Sequence, residues 1–305
     1  MTAAPLSLSR LIRDFPVLGD SLKGAERAAA TDAPVLILGE PGTGRSTLAR
    51  AFHDASSRSP GPLVELDVGA IPSTLFESEL FGYRAGAFTG AEHASEGRMG
   101  RAEGGTLVLD HVEELPLATQ PKLLRLVAER RYSPLGEAER AADVRFVAIG
   151  PEDLPVRVER ETFRPDLFYR LEVLAFLLPP LRERRADLPA ILDSLLADLS
   201  ARFSRPGLQL TPRARAWMLE HPWPGNLRQL RNALERGVIL AGDSTIDPPP
   251  PEGSTEGRPR PLLEVEKEMI RNALAYTRGH QGRAADLLGI SRKALWEKRR
   301  RYGIP

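Results

Sequence analysis

The chain has 305 residues, of which 42% are hydrophobic, so it is long enough for two or three domains with a buried core. It has no cysteine, which excludes disulfide bonds and thiolate metal sites and is typical of a reducing cytoplasm. The net charge is only +1, but residues 278–305 hold eight basic and two acidic side chains, which leaves −5 on the other 277 residues. Without a long apolar run or an export signal, we expect a soluble cytoplasmic protein with no membrane partner and a basic end that binds nucleic acid.

The first elements predicted along the chain are a strand, a glycine-rich turn and a helix. The apolar run 34–38 is typical of a buried strand, and residues 47–52 are typical of a helix. Two more buried strands are predicted at 106–110 and 144–149. Strands that alternate with helices favour a parallel sheet with helices on both faces.

The glycine-rich turn has the spacing of a phosphate-binding loop. In such a loop, backbone N–H groups and the start of the following helix converge on phosphate oxygens. The pattern G-x4-G-K-[ST] fits except that Arg45 stands where lysine is expected, and a guanidinium is larger and differently aimed. Ser46 can offer its hydroxyl to Mg²⁺. We predict that ATP is bound by Gly39, Glu40, Pro41, Gly42, Thr43, Gly44, Arg45, Ser46 and Thr47.

A second glycine-rich segment, between the predicted helix and the strand 106–110, is typical of an exposed contact loop. Gly86 and Gly90 permit a tight turn or a swinging loop, and no core claims Phe88. The segment consists of Gly86, Ala87, Phe88, Thr89, Gly90 and Ala91. Together with residues 77–82, it closely resembles the signature of sigma-54-dependent transcriptional activators, a branch of the AAA+ ATPases. The resemblance implies that this loop contacts the sigma factor.

The residues after the two central strands depart from the family. Asp110 ends its strand where the second acidic motif of these NTPases holds Mg²⁺. The resemblance implies that a carboxylate follows to orient the attacking water, but the chain has His111, and Glu113 is the alternative carboxylate. After the strand 144–149, the resemblance implies a polar residue that senses the terminal phosphate. The chain has Gly150 and Pro151 at that point, and neither offers a side-chain hydrogen bond. These changes, with Arg45, predict weak or absent hydrolysis.

Other parts of the family's machinery are present. Helical spacing from about residue 185 and a helix predicted at 213–220 favour a small helical lid. In the segment 163–171, Arg164 and Arg170 match the two arginines that reach a neighbouring subunit's phosphate. In the segment 223–228, Arg228 matches the residue that senses the nucleotide, and Asn226 is predicted as a helix cap. The resemblance implies a homo-oligomeric ring, a hexamer in the family, or a mixed ring with an intact relative.

The C-terminal residues predict a helix-turn-helix. We expect an amphipathic helix at 263–276, a short helix at 281–288 that Gly289 ends, and a third helix at 292–302. Two helices joined by so tight a turn indicate a unit whose second helix enters the major groove of double-stranded DNA. The unit resembles the Fis-type domain of the same family. The predicted contacts are the cap Ser291, then Arg292 and Lys293 on bases, and Lys298, Arg299, Arg300 and Arg301 on phosphates.

The resemblance covers about residues 15–305 and implies an α/β AAA+ P-loop domain, an α-helical lid and a small all-α Fis-type helix-turn-helix domain. Six prolines in residues 243–261, four of them consecutive, are typical of a stiff linker. The predicted parts are a short N-terminal arm at 1–14, the α/β domain at 15–182, the lid at 183–242, the linker at 243–261 and the DNA-binding domain at 262–305. So short an arm predicts that an N-terminal sensory domain is lacking and that a separate partner or regulated expression controls the protein.

The resemblance implies a regulator that binds upstream DNA and contacts the sigma-54 RNA polymerase holoenzyme, coupled to ATP. Two functions stay open: an activator that still hydrolyses ATP, alone or in mixed rings, and a hydrolysis-deficient DNA-binding regulator that modulates activator rings in trans. The intact loop and arginines favour the first function, whereas Arg45, His111 and Pro151 favour the second. A third hypothesis is a generic AAA+ unfoldase, but it leaves the contact loop and the DNA-binding end unexplained.

Overall fold

The computed structural model describes residues 7–249, 266–267, 269–271, 273–274, 277 and 280–302. They fall into two compact units, one up to residue 250 and one from residue 251. The strands all lie in the first unit and are β1 Val35–Gly39, β2 Leu63–Asp67, β3 Thr106–Asp110, β4 Arg131–Tyr132, β5 Arg140–Ala141, β6 Arg145–Gly150, β7 Leu174–Leu178, β8 Gln209–Leu210 and β9 Thr245–Ile246.

Five of these strands form one parallel sheet in the order β2-β3-β6-β1-β7. The sequence predicted β1, β3 and β6, which are buried along almost their whole length. It missed the two edge strands, β2 and β7. In β2 the exposed Glu65 interrupts the apolar run, whereas β7 is apolar throughout and its run was not assigned to a strand. Since the strands are parallel, their carboxyl ends meet at one edge of the sheet, where ligands of such folds bind.

The helices of the first unit cover both faces of this sheet. Along β1, Val35 and Ile37 pack in one core and Leu36 and Leu38 in another, as expected for a strand buried on both sides. The α/β class predicted from the sequence is confirmed. The helices are α1 Leu8–Asp14, α2 Pro16–Ser21, α3 Ala25–Ala29, α4 Arg45–Asp54, α5 Phe76–Phe81, α6 Gly97–Arg101, α7 Gln120–Glu129, α8 Leu154–Glu159, α9 Pro165–Leu171, α10 Leu188–Arg202, α11 Pro212–Glu220 and α12 Asn226–Leu240.

A buried ion pair joins the N-terminal helices to the lid. The Asp187 carboxylate accepts hydrogen bonds from the backbone N–H groups of Val17 (2.9 Å) and Leu18 (3.0 Å) at the start of α2. It also accepts one from Arg184 Nε at 3.0 Å, and both charged side chains are almost completely buried. The pair thereby satisfies helix N–H groups that have no partner within α2.

The lid extends into residues that we predicted as linker. Thr245–Ile246 forms β9, which pairs in parallel with β8, and Ile246 is fully buried. The predicted start of the linker at residue 243 is therefore wrong. The composition of the whole window is dominated by prolines, but Thr245 and Ile246, which come shortly before the first of them, are β-branched and suffice for a short edge strand. The rest of the predicted linker, 250–261, lies outside the described residues.

The second unit contains α13 Gln281–Leu287 and α14 Arg292–Tyr302. The described residues between 266 and 274 are also helical, and the remainder of the predicted helix 263–276 lies outside the description. Ser291 Oγ accepts a hydrogen bond from the Ala294 N–H at 3.1 Å, which confirms the predicted cap. Across the described parts of both units, no helix is long and apolar enough to cross a membrane.

Candidate nucleotide site and contact surfaces

A cavity of about 390 Å³ lies at the carboxyl edge of the sheet, within the first unit. Residues 42–48, Asp110 and His111 form a polar end. Leu11, Phe15 and Leu18 from the N-terminal helices add apolar lining, and the lid contributes Leu227 and Arg228 among others. A mostly apolar cleft with a few convergent polar groups fits a ligand that has a flat apolar part and a charged part.

The turn before α4 forms the floor of the polar end. Gly42 and Gly44 have φ values of +81° and +105°, which favour glycine. A Cβ on Gly42 would lie 2.7 Å from the Gly225 carbonyl oxygen, so no other residue fits there without a shift. Gly44 precedes α4 and has no side chain to cap it. The first N–H groups of α4 are therefore available to an anionic ligand.

Ser46 and Asp110 meet beside this turn. Ser46 Oγ lies 3.3 Å from Asp110 Oδ2, and a hydroxyl with a carboxylate is an oxygen donor set that Mg²⁺ accepts. Within the part of the chain that the structure describes, no group of three or more His, Cys, Asp or Glu side chains forms a metal site by itself. A Mg²⁺ ion at Ser46 and Asp110 would thus need phosphate oxygens and water as further ligands, as usual for nucleotide-bound magnesium.

The Arg45 guanidinium is hydrogen-bonded to the carboxyl edge of the sheet. Its Nη1 donates hydrogen bonds to the carbonyl oxygens of Gly39 at 2.9 Å and Gly150 at 2.7 Å. These two residues end the neighbouring strands β1 and β6. Arg45 is only 7% exposed, and burial lowers the pKa of its guanidinium, against the opposite effect of Asp110 and Glu113. Both bonds come from the same guanidinium nitrogen, which the planar end of the arginine side chain holds between the two strand ends.

His111 pairs with a carboxylate that the sequence did not single out. Its Nδ1 lies 2.8 Å from Asp67 Oδ1, and Asp67 stands opposite Asp110 in the register of β2 and β3. The backbone of His111 has φ +57° and ψ +50°, a left-handed conformation that turns the chain directly after β3. Asp67 was missed because it ends an edge strand without an apolar run. Its pairing follows only from the register.

Glu113 lies close to these groups without bonding to them. Its Oε2 is buried and has no hydrogen-bond partner in the described residues. Burial raises the pKa of the Glu113 carboxyl, and the nearby charges of His111 and Arg45 oppose this effect. The carboxylate considered as an alternative to His111 is therefore near His111 and Arg45, but it does not line the cavity.

A polar latch connects the turn before α4 to the lid. Glu40 accepts two hydrogen bonds from Arg182, at 2.7 and 2.9 Å, and one from Asn226 Nδ2 at 3.0 Å. Asn226 Nδ2 also donates to the Pro41 carbonyl at 3.2 Å, while Asn226 Oδ1 accepts from the Leu181 N–H at 2.7 Å. The predicted helix-cap role of Asn226 is therefore wrong, because its side chain bridges the turn and the lid.

We expect Glu40→Gln to lower the free energy of unfolding of the full chain by about 1 kcal/mol, because it removes the charge that Arg182 and Asn226 share. Urea unfolding followed by tryptophan fluorescence measures this, since Trp223 is buried in the lid. The matched control is Glu65→Gln, which loses a similar two-point pair with Arg50 but no contact with the lid, and should cost less. An equal loss of unfolding free energy in both variants would contradict a stabilising role of the bonds between Glu40 and the lid.

The two candidate trans arginines lie outside the cavity lining. Arg164 is bound by Asp166 on its own chain, at 2.7 and 3.0 Å. Arg170 Nη2 donates to the Ala128 carbonyl at 3.1 Å. Arg164 is partly exposed at the start of α9. Neither side chain therefore lines the cavity of its own chain. A role in nucleotide chemistry requires the cavity of a second copy of the chain.

The loop 86–91 presents its aromatic residue at the surface. Phe88 is 42% exposed, and its ring meets the Tyr83 ring edge-on at 4.9 Å between centroids. The loop is closed by its own backbone, since Gly86 N–H donates to Ala91 at 2.8 Å and Ala91 N–H donates to Phe88 at 3.0 Å. Phe88 is thus presented on a folded turn whose last residue, Ala91, is buried.

The predicted DNA contacts on α14 lie in two environments. Three of them are exposed at its start: Ser291, Arg292 and Lys293. Near the other end, Lys298 bonds to Glu266, and the buried Arg299 Nε has no partner in the described residues. Arg300 is exposed and lies 5.6 Å from the centre of the Trp296 ring. Arg301 is exposed as well. Lys298 and Arg299 therefore face the unit's own helices more than the prediction assumed.

Three family models match the chain in order: the sigma-54 interaction domain at residues 11–176, the AAA+ ATPase lid domain at 182–250, and the Fis family of bacterial regulatory proteins at 261–302. The chain is 39% identical to regulatory protein AtoC of Escherichia coli, over 96% of this chain and 68% of AtoC. It is 40% identical to the alginate biosynthesis transcriptional regulatory protein AlgB of Pseudomonas aeruginosa, over 95% of this chain and 66% of AlgB.

The chain thus spans about two thirds of the length of these relatives. Among solved structures, NtrX from Brucella abortus in complex with ATP is similar, with a TM-score of 0.71 and 31% identity over 99% of this chain and 70% of that chain. The matched domains agree with the parallel sheet, the helical lid and the C-terminal helices described above. The chain belongs to the sigma-54-dependent transcriptional regulators and combines an AAA+ P-loop domain, its lid and a Fis-type helix-turn-helix.

Proposed function

We propose that the chain binds DNA upstream of a promoter through its C-terminal unit and engages the sigma-54 RNA polymerase holoenzyme through residues 86–91. The observation that carries the proposal is the exposure of Phe88 on a turn closed by its own hydrogen bonds. Exposed aromatic residues that are already positioned are frequent anchors of protein interfaces. The exposed Arg292 and Lys293 supply the cations that DNA bases and phosphates attract.

The cavity is the proposed site of the adenine nucleotide to which this engagement is coupled. Residues 39–47 would hold the phosphates, Ser46 and Asp110 would hold Mg²⁺, and Leu11 and Phe15 bound the cavity with apolar surface. Arg228 reaches the cavity from the lid, so a ligand there touches both parts. NtrX from Brucella abortus has been solved with ATP and with ADP, which supports the assignment. Bound Mg²⁺ would neutralise phosphate charge.

The proposed working form is a ring in which Arg164 and Arg170 of one copy serve the cavity of the next. Their position outside their own cavity supports this role. Arg164 would have to leave Asp166 to do so, which exposed ion pairs allow at small cost. The latch from Glu40 to Asn226 would carry a change at the turn into the lid. The ring is either homo-oligomeric, a hexamer by resemblance, or mixed with an intact relative.

A second candidate function is favoured by Arg45. Its guanidinium is bound to two strand-end carbonyls, and His111 is bound to Asp67, so neither residue is free in the way that a lysine and a catalytic glutamate would be. In this candidate the chain is hydrolysis-deficient. It binds DNA and modulates the rings of an activator in trans.

One experiment separates the two candidates. The full chain, sigma-54 holoenzyme and promoter DNA selected for binding to the chain are mixed with ATP, and open promoter complexes are counted with and without an intact relative. Opening by the chain alone, lost in Arg164→Ala, supports the activator. No opening alone, but an altered yield with the relative, supports the modulator. If the chain binds DNA and changes neither yield, both candidates are wrong.

A further inference from the structure

The inward side of α14 is defined by the side chains that pack against the rest of the second unit. Leu295 is 1% exposed, and the Nε atom of Arg299 is buried. Lys298 and Tyr302 both donate hydrogen bonds to the Glu266 carboxylate. These four residues of α14 recur at intervals of three or four, so they lie on one side of the helix. The opposite side is therefore turned away from these contacts.

This opposite side of α14 is exposed and mostly basic. A helix has about 3.6 residues per turn, so Lys293, Glu297 and Arg300 lie on the line farthest from Leu295. All three side chains are exposed. The other exposed residues of the helix are Arg292, Trp296 and Arg301. Glu297 is thus the one acidic residue on a helix face that otherwise carries four cations.

The Glu297 carboxylate is not bound by these cations. Lys293 and Arg301 each lie four residues from Glu297, a spacing at which ion pairs form along a helix. The structure nevertheless shows no ion pair or hydrogen bond between the Glu297 carboxylate and any residue that it describes. Arg300 lies instead 5.6 Å from the centre of the Trp296 ring. With respect to the described residues, both carboxylate oxygens of Glu297 are therefore available to a ligand.

A carboxylate on a DNA-binding face needs a hydrogen-bond donor on the DNA. The phosphates of DNA repel it, so Glu297 weakens the attraction that the surrounding cations provide. Among the bases, guanine and thymine present acceptors in the major groove, and adenine presents an acceptor beside its amino group. Cytosine presents the N4 amino group, which is a donor. A carboxylate in the major groove therefore fits cytosine best.

We propose that Glu297 makes the chain specific for a cytosine at one position of its DNA site, by accepting a hydrogen bond from the cytosine N4 amino group. The inference rests on the DNA binding proposed above and adds a specificity-determining residue to α14. Lys293 lies about one helical turn before Glu297, and Arg300 lies about one turn after it, on the same exposed line. Their attraction to the DNA holds the carboxylate close to the base edges, where a base without a donor is rejected.

The test selects binding sites from a random library of duplex DNA, in parallel for the full wild-type chain, Glu297→Gln and Glu297→Ala. Fluorescence anisotropy at one salt concentration then measures the affinity for the wild-type consensus duplex and for its single-base-pair variants. We expect one C·G pair whose replacement weakens wild-type binding about tenfold, as is typical of one mismatched pair. At that position Glu297→Ala should accept all four base pairs about equally. Glu297→Gln should favour A·T, because an amide pairs with both N6 and N7 of adenine.

The matched control is Arg301→Gln on the same exposed side of α14. It removes a charge but no hydrogen-bond acceptor, so it should weaken binding to every duplex alike and reduce the salt dependence of the affinity. The two Glu297 variants should instead bind unrelated duplexes more tightly than the wild type, because they remove a repulsive charge. Glu297 is exposed, so neither of its substitutions disturbs a buried contact.

The outcomes are distinguishable. If both Glu297 variants bind every duplex more tightly but keep the wild-type base preference at all positions, Glu297 only repels DNA and the inference is wrong. If affinity and preference are both unchanged, the carboxylate does not reach the DNA, and the inference is wrong while the proposed DNA binding stands. If the wild-type chain binds no duplex from the library, the proposed DNA binding itself fails.

Discussion

The triple variant Arg45→Lys, Asp67→Asn, His111→Glu is expected to hydrolyse ATP about 10²-fold faster than the wild-type chain, or more, because a positioned general base contributes at least that factor. A lysine at position 45 would release the Gly150 carbonyl that Arg45 now binds at 2.7 Å. A glutamate at position 111 would supply the missing carboxylate next to Asp110. Steady-state phosphate release over a series of protein concentrations measures the effect, since a site shared between copies gains activity with assembly.

The change at Asp67 decides whether the new carboxylate works. His111 Nδ1 lies 2.8 Å from Asp67 Oδ1, so a glutamate at position 111 would face a like charge and would tend to keep a proton. An asparagine at position 67 removes that repulsion and offers an N–H donor. The double variant Arg45→Lys, His111→Glu should therefore be clearly slower than the triple variant. Equal rates of the double and triple variants would show that Asp67 does not oppose the glutamate. A wild-type rate as high as that of the triple variant would show that Arg45 and His111 do not impair hydrolysis.

The central part of the fold was predictable because its signal is local. Strands β1, β3 and β6 are continuous apolar runs, since both faces of a central parallel strand are covered. The edge strand β2 lacks that signal because charged residues interrupt it, whereas the edge strand β7 is a continuous apolar run that was overlooked although two of its residues are exposed. Ile246 was assigned to a linker because a run of prolines begins two residues after it, although its side chain is fully buried in the core that the lid shares.

The site was predictable as a set of residue types, but not as a set of partners. The sequence showed that Arg45 stands in place of a lysine. It did not show that Arg45 binds the carbonyl oxygen of Gly150, which lies 105 residues further along the chain. The pairing of Asp67 with His111 depends on the register of β2 with β3. For Asn226, a local cap was predicted and a tertiary bridge to Glu40 formed instead, because a buried amide needs all its hydrogen bonds.

The Phe88→Ala variant is expected to weaken binding of the DNA-bound chain to sigma-54 holoenzyme by about 30-fold, which corresponds to about 2 kcal/mol for an aromatic anchor. The ring is 42% exposed and touches Tyr83, so its removal costs the fold little while the interface loses its central side chain. Fluorescence anisotropy of labelled holoenzyme measures the affinity. Leu117→Ala is the control, because Leu117 is similarly exposed, at 55%, and lies outside the loop.

Tyr83→Ala separates the contact from its support. It keeps Phe88 but removes the ring that holds it at 4.9 Å, and an aromatic pair of this kind is worth about 1 kcal/mol. We therefore expect a loss of only a few fold, with Phe88 still present but less well positioned. If Phe88→Ala binds as well as Leu117→Ala, residues 86–91 are not the contact. If Tyr83→Ala loses as much as Phe88→Ala, the preformed position of the ring matters as much as the ring itself.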